Sequence, residues 1–396
     1  LGLALLAAGR PLGRRSFLVA AAAPALGLAW AVVRYGSIVD GEDLGATWRW
    51  VPQLGLSIDL RVDGFSLLMI LLVTGIGLLV QLYAHRYFGP DRPGLHRLAG
   101  LLLLFSAAML GVVTAANLLV LYVAWELTSV TSYLLIGWTD QDPKARASAL
   151  QALLTTGAGG LAMLGGFVLI GQAAGTYDLA RLAADPPTGT VVEVGLVLVL
   201  IGAFTKSAQF PFSAWLPGAM VAPTPVSAFL HSATMVKAGV YLIARLAPIF
   251  AAQGVWRPLV LTVGLLTMLT GGWRALRQYD LKRILAYGTV SQLGLLVVLF
   301  GAGTPEATVA GVTLLLAHAM FKAGLFLVVG IIDHQAHTRD IRSLGAYGPG
   351  WMAPRVVAVL LGASMAGIPL LFGFVAKELA YESWYHGELA GSAVVL

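Results

Sequence analysis

Long apolar runs separated by short polar gaps fill most of the chain. A run of about 18–25 apolar residues has the length of a helix that crosses a bilayer. Such runs lie near residues 16–34, 63–84, 97–115, 117–138, 147–173, 191–216, 225–248, 256–273, 281–302, 307–332 and 355–386, with a shorter one at 1–9. A thirteenth begins at the C-terminal end. The pattern predicts an all-α polytopic membrane protein of 12 to 13 transmembrane helices. The gap between Arg34 and Asp63 is long enough for a small extramembrane hairpin. Residues 1–96 then hold the N-terminal helices and that hairpin, residues 97–250 a first helix repeat, and residues 251–396 a second, cut short at its end.

Two of the runs are discontinuous. In GAFTKSAQFPFSAWLPGAMVAPTP, Lys206 is followed by Pro211, Pro217, Pro223 and Pro225; in GASMAGIPLLFGFVAKE, Pro369 precedes Lys377. Proline removes a backbone donor and frees a carbonyl. At membrane depth such backbone is tolerated only where protein or water covers it. Paired broken helices in two halves of a chain predict a transporter built from inverted repeats, with its path at the breaks.

Composition agrees: 58% of residues are hydrophobic and 11% charged, against about a quarter charged in a soluble protein. There is no cysteine, which excludes disulfides, thiolate-held zinc and iron–sulfur clusters in this stretch; no cofactor is expected. The net charge of +6 lies in short gaps without interleaved aromatics, which is not a nucleic-acid footprint. LGLALLAAGR lacks a cleavage pattern and reads as the remainder of a helix, not a leader. GELAGSAVVL stops inside an apolar run, so the natural chain is expected to be longer at both ends.

One set of alternate loops carries 15 Lys and Arg residues, from Arg10 to Arg355, and the other set carries 6. The basic set belongs in the cytoplasm, which puts the N-terminus outside a cell membrane. Four further lysines fall inside apolar segments: Lys206, Lys237, Lys322 and Lys377. Among the acids Glu126 alone lies clearly mid-run, and Glu378 directly follows Lys377. Each such charge costs at least about 2.5–3.5 kcal/mol near a bilayer centre. One alone suits snorkelling or a structural ion pair; five, two of them beside helix breaks, must face one another, polar backbone or water.

The residue type narrows the chemistry. Arginine keeps its proton in a protein, whereas a buried lysine changes its protonation readily, and coupled groups titrate together. That suits a proton carrier better than a fixed anion clamp. Ser129 and Tyr133 share a face with Glu126. His231, Thr234, Lys237 and Tyr241 form a ridge, and His318 and Lys322 stand one turn apart. Neutral histidine donates and accepts, so it can link proton donors, although a lone buried histidine also suits plain packing. His334 and His337 have an H-x-x-H spacing without a third ligand nearby. The glycine cluster GAGGLAMLGG is no phosphate loop and suits close helix packing. No nucleophile–base arrangement stands out, so an enzyme active site is not expected.

LIGAFTKSAQFPFSAWLPGAMVAPTPVSAFLHSATMVKAGVYL resembles the antiporter-like subunits of Mrp cation/proton antiporters and of respiratory complex I. HAMFKAGLFLVVGIIDHQAHTRDIRSLG looks most like the A subunit of the Mrp-type Na⁺/H⁺ antiporters, and LYVAWELTSVTSYLLIG, YDLKRILAYGTVSQLGL and GFVAKE fit too. The resemblance covers roughly residues 56–390. It implies a proton relay in which Glu126 is the carboxylate and Lys206 its partner. Lys237 with His231 continues the relay; Lys282, Lys322, His318 and His334 extend it; Lys377 ends it. From the pattern alone Lys282 is a loop charge; the resemblance places it at a helix start. Ala376 and Gly288 stand where the family commonly has serine. The resemblance further implies partner membrane subunits, exchange of Na⁺ for H⁺, and additional helices beyond this chain. The rival expectation is a proton-pumping module of a complex I-like or hydrogenase redox enzyme, against which IDHQAHTRDI weighs. A third is a membrane scaffold with a disused relay.

Overall fold

The computed structural model describes residues 1–42, 44–51, 56–345 and 348–385. The apolar run at the C-terminal end and the tip of the predicted hairpin lie outside the described residues. The chain opens with α1 (Gly2–Ala8), a 3-10 turn at Arg10–Arg15, α2 (Ser16–Val33) and α3 (Tyr35–Val39). The hairpin follows as β1 (Leu44–Val51) and β2 (Leu56–Val62), antiparallel with Leu44 opposite Val62. Then come α4 (Gly64–Tyr87), α5 (Leu95–Thr114), α6 (Leu118–Ile136), α7 (Pro143–Ala174), α8 (Leu179–Ala184) and α9 (Thr190–Lys206). Short turns lead through α10 (Trp215–Gly218) to α11 (Thr224–Ser232) and α12 (Lys237–Phe250). The described chain closes with α13 (Trp256–Ala275), α14 (Leu281–Ala302), α15 (Pro305–Ala336), α16 (Met352–Ala366) and α17 (Phe372–Tyr385).

The protein is therefore all-α apart from the hairpin, and polytopic. Among the described residues, eight helical stretches are long and apolar enough to cross a membrane. The two proline-marked segments are broken: α9 ends at Lys206, and α16 and α17 are separate half-helices. A further break lies where the pattern predicts one helix over 225–248, at residues 233–236 just before Lys237. Its cause is a side chain. The Ser207 hydroxyl donates to Val236 O at 2.7 Å and accepts from Val240 N at 3.0 Å. It thus replaces the i→i−4 bond that would join those two residues, a recognised cause of a kink. Gly239 makes this possible, because a Cβ there would overlap Ala203 O and Ser207 Oγ.

The chain divides into two compact units, Leu1–Gly202 with Val221–Leu230, and Ala203–Met220 with His231–Leu396. In the first, α2 packs on α4, α5 on α6, and α6 on α7. The hairpin is tied to the end of α5 by Ala116 N donating to Asp59 O at 2.8 Å. Glycine brings α7 and α9 together: a Cβ at Gly166 would overlap Gly195 O, and one at Gly202 would lie 2.9 Å from Gly159 O. In the second unit α13 and α14 pack most extensively, and a Cβ at Gly294 would lie 2.6 Å from Gly264 O. Small residues let helix backbones approach where apolar area alone gives no preference over lipid.

Each unit contains the same supersecondary device. Asn117 caps α6 and pairs with Asp178 beyond the 32-residue α7; Asp280 caps α14 and pairs with Asp340 beyond the 32-residue α15. Leu118 N donates to Tyr177 O at 2.9 Å, and Leu281 N to Arg339 O at 3.0 Å. Both long helices open on proline, Pro143 and Pro305, and end at a left-handed residue, Gly175 and His337.

Candidate functional site

In the first unit the site residue is Glu126. It lies on α6, and its Oε1 is shielded from solvent. The hydroxyls on that helix turn back onto their own backbone: Thr128 Oγ1 donates to Trp125 O at 2.7 Å and Ser132 Oγ to Ser129 O at 2.9 Å. These residues cover helix carbonyls instead of extending the polar face outward.

The second unit gathers most of the others. Lys206 is the last residue of α9 and is fully buried. The backbone freed beyond it is satisfied by protein: Gln209 N donates to Phe204 O at 2.8 Å, Trp215 Nε1 to Thr205 O at 2.9 Å, and Phe210 N to Thr267 Oγ1 at 2.8 Å. Lys237, the first residue of α12, is also fully buried. The Ser207 stitch places the residues next to these two lysines in direct hydrogen-bond contact.

From Lys237 a line of groups runs through α15 and α14. Its Nζ donates to Leu315 O at 3.2 Å. His318, almost one turn further along α15, is fully buried and within electrostatic range of both Lys237 and Lys322. Among the described residues neither nitrogen of His318 has a hydrogen-bond partner. Lys322 follows after four residues, fully buried, with Nζ donating to Leu285 O of α14 at 3.1 Å; Thr289 Oγ1 donates to the same carbonyl at 2.8 Å. Lys282 lies three residues before Leu285. It is not a loop charge but the second residue of α14, 2% exposed. Asp280 caps that helix by accepting from Arg283 N at 3.0 Å, which satisfies a first-turn donor.

Lys282 adjoins a partly exposed ion-pair cluster. Asp280, Asp333 and Arg339 lie within its electrostatic range, and Arg339 pairs with Asp280 at 3.1 Å and Asp333 at 3.9 Å. All three are about one-third exposed. Beside them Arg342 holds Asp340 in a fork at 2.6–3.2 Å. That pairing draws the Asp340 carboxyl down to about 2 from its ordinary 3.8.

The remaining residues sit apart from this line in different ways. His231 is the next-to-last residue of α11, fully buried, 6.2 Å from the Trp215 ring and within electrostatic range of Lys282. His334 is exposed in the last turn of α15. Lys377 is half-buried on α17, and its Nζ donates at 2.9 Å to Ala366 O at the end of α16. A cation on the last carbonyls of a helix is favourably placed. Its stem lies over Gly367, where a Cβ would come within 2.8 Å of Lys377 Cδ. Sequence reasoning missed Ser207, Gly239, and the acceptors Leu315 O and Leu285 O. The first two look like ordinary small residues, and backbone carbonyls leave no mark in a sequence.

Fold and site together define a polytopic helical membrane protein with buried lysines at two helix breaks, within the long helix α15 and at the start of α14. Residues 115–391 match the family described as "NADH:quinone oxidoreductase/Mrp antiporter, TM", and residues 48–97 match "NADH-Ubiquinone oxidoreductase (complex I), chain 5 N-terminus". The chain belongs to this NADH:quinone oxidoreductase/Mrp antiporter membrane family. It is 49% identical over 88% of its length to a probable K(+)/H(+) antiporter A/B subunit of Rhizobium meliloti, covering 35% of that protein. It is 46% identical over 88% of its length to the Na(+)/H(+) antiporter A subunit of Alkalihalophilus pseudofirmus, covering 46% of it. The chain thus spans less than half the length of these curated relatives. In structure it is similar to a chain of the Mrp complex from Dietzia sp. DQ12-45-1b, with a TM-score of 0.91 and 40% identity over 99% of this chain and 43% of that one. A membrane-bound sulfane sulfur reductase, an archaeal respiratory complex, gives a TM-score of 0.84 at 25% identity over 98% of this chain and 82% of that one.

Proposed function

We propose that the chain is part of a multisubunit secondary antiporter that exchanges Na⁺ or a related monovalent cation for H⁺. Protons move along Lys237, His318, Lys322 and Lys282. The observation that carries this reading is the arrangement of those groups: all are buried and protonatable, His318 and Lys322 stand one turn apart on α15, Lys237 and Lys322 donate to carbonyls of α15 and α14, and Lys282 adjoins the partly exposed Asp280–Arg339–Asp333 cluster. Glu126, Lys206, His231, His334 and Lys377 keep the roles the family resemblance implies, with Glu126 as the carboxylate and Lys206 its partner. The basic loops face the cytoplasm and the N-terminus the outside. Other membrane subunits complete the cation path.

Greater identity to antiporter subunits than to the respiratory complex supports this reading over a redox pump. The test uses inside-out vesicles from antiporter-deficient cells expressing the complete complex. A pH gradient is imposed without any electron donor, and NaCl or KCl is then added. Dissipation of the gradient by either salt, lost in Lys206→Ala with the complex still assembled, is the expected result. Proton movement only while an electron donor is oxidised would overturn it in favour of a redox-driven pump.

A further inference from the structure

We infer that Gly160 is the positioning residue that seats the carboxylate of Glu126, an inference that rests on the relay reading above. A Cβ at Gly160 would overlap Glu126 Oε1 and lie 3.1 Å from its Cδ. The carboxylate therefore occupies the volume that any other residue at position 160 would fill. Other glycines of α7 meet other groups: the Gly159 carbonyl and Gly166 lie against the backbone of α9, Gly171 lies against the Tyr177 ring, and Gly157 faces open space. Close helix packing accounts for Gly166 and the Tyr177 ring for Gly171; among these glycines Gly160 is the one that lies against an ionisable group.

The second unit repeats the arrangement with its partners exchanged. Counted from the opening prolines, Gly160 of α7 and Lys322 of α15 both stand at the eighteenth position of a 32-residue helix. Gly160 on the long helix faces Glu126 on α6; Lys322 on the long helix faces Gly288 on α14, where a Cβ would lie 2.9 Å from Nζ. In each helix pair one member carries an ionisable group and the other the glycine that leaves room for it. The charge sits on the short helix in one unit and on the long helix in the other.

The obstructed atoms at Gly160 belong to the end of a flexible side chain and not to backbone. A methyl there displaces the carboxylate and leaves the fold intact. Three properties of the complete complex in vesicles test this: the amount of this chain in the membrane, the rate and pH profile of cation-driven proton exchange, and labelling of Glu126 by a hydrophobic carbodiimide. Gly160→Ala is expected to reach the membrane at wild-type levels and to exchange at least about tenfold more slowly, the scale on which misplacing a reacting group acts. Its pH profile and its carbodiimide labelling both move. Gly157→Ala leaves all three unchanged. Glu126→Asp, one methylene shorter, combined with Gly160→Ala exchanges faster than Gly160→Ala alone. Wild-type exchange and wild-type labelling in Gly160→Ala would overturn the proposal. Normal exchange in Glu126→Gln would instead overturn the relay reading, and the labelling result would still decide whether Gly160 seats the carboxylate.

Discussion

At the scale of single residues, the proposed role of the buried lysines lets charge be tested apart from proton exchange. Arginine carries the same charge but does not release its proton. Lys322→Arg is therefore expected to abolish cation-driven exchange as fully as Lys322→Ala, with the protein still present in the membrane. Exchange at wild-type rate in the arginine variant would show that Lys322 serves only as a fixed positive charge. The Asp340–Arg342 fork gives a contrasting case. A carboxyl lowered in the folded state contributes stability above its unfolded pKa and loses it as pH falls through the folded value. With Asp340 drawn to about 2 from 3.8, that loss lies below about pH 4. Arg342→Ala should thus leave the pH profile of exchange at neutral pH unchanged; a shifted profile would place this fork in the relay. The ionisable groups were legible in the sequence because a charge stands out in an apolar run. Their seats were not, because Gly160 and Ser207 look the same in sequence whether they pack, cap or make room.

At the scale of elements, helix breaks have two origins. Those at Lys206 and before Lys377 carry proline, and proline declares itself. The break before Lys237 has neither proline nor glycine in HSATMV, and a hydroxyl distant in sequence makes it. Removing that hydroxyl leaves Val240 N buried without its acceptor, an omission that costs about 1–3 kcal/mol. Ser207→Ala is accordingly expected to lower the thermal stability of the purified complex and to slow exchange. An unchanged melting temperature would mean that the helix closes its own ladder across residues 236–240. Gly239→Val is the steric counterpart. Its side chain would overlap Ala203 O, which is backbone and cannot step aside. Overpacking of this kind costs about 1–3 kcal/mol or more. Less of the chain in the membrane is the expected result, and normal abundance with normal exchange would contradict the close approach of α12 to residue 203.

At the scale of the whole molecule, the apolar runs announced an all-α membrane protein, and the tally of basic residues proposes how it is threaded. The 396 residues contain no cysteine, so single cysteines can report sidedness directly. Gly89 and Thr188 are both exposed and belong to opposite loop sets. A membrane-impermeant maleimide applied to intact cells should label Thr188→Cys and spare Gly89→Cys; the reverse pattern would invert the topology. The helix pair that recurs in the two units was harder to read. Its two copies share little beyond helix length, an opening proline and a capping Asn or Asp, and a chemical group that changes helix between copies hides the correspondence from any position-by-position comparison.

Lys237 and Lys322 both rest on backbone carbonyls. A carbonyl carries no net charge, and an amine that has given up one proton still has two N–H groups to offer it. Either form of the side chain can keep the same partner in the same place. A carboxylate in that position would grip the ammonium and make each departure of a proton a rupture of an ion pair. In the proposed relay, holding the lysines on neutral oxygens would let a proton leave with little rearrangement of the atoms around it, so speed at these stations would not depend on large motions.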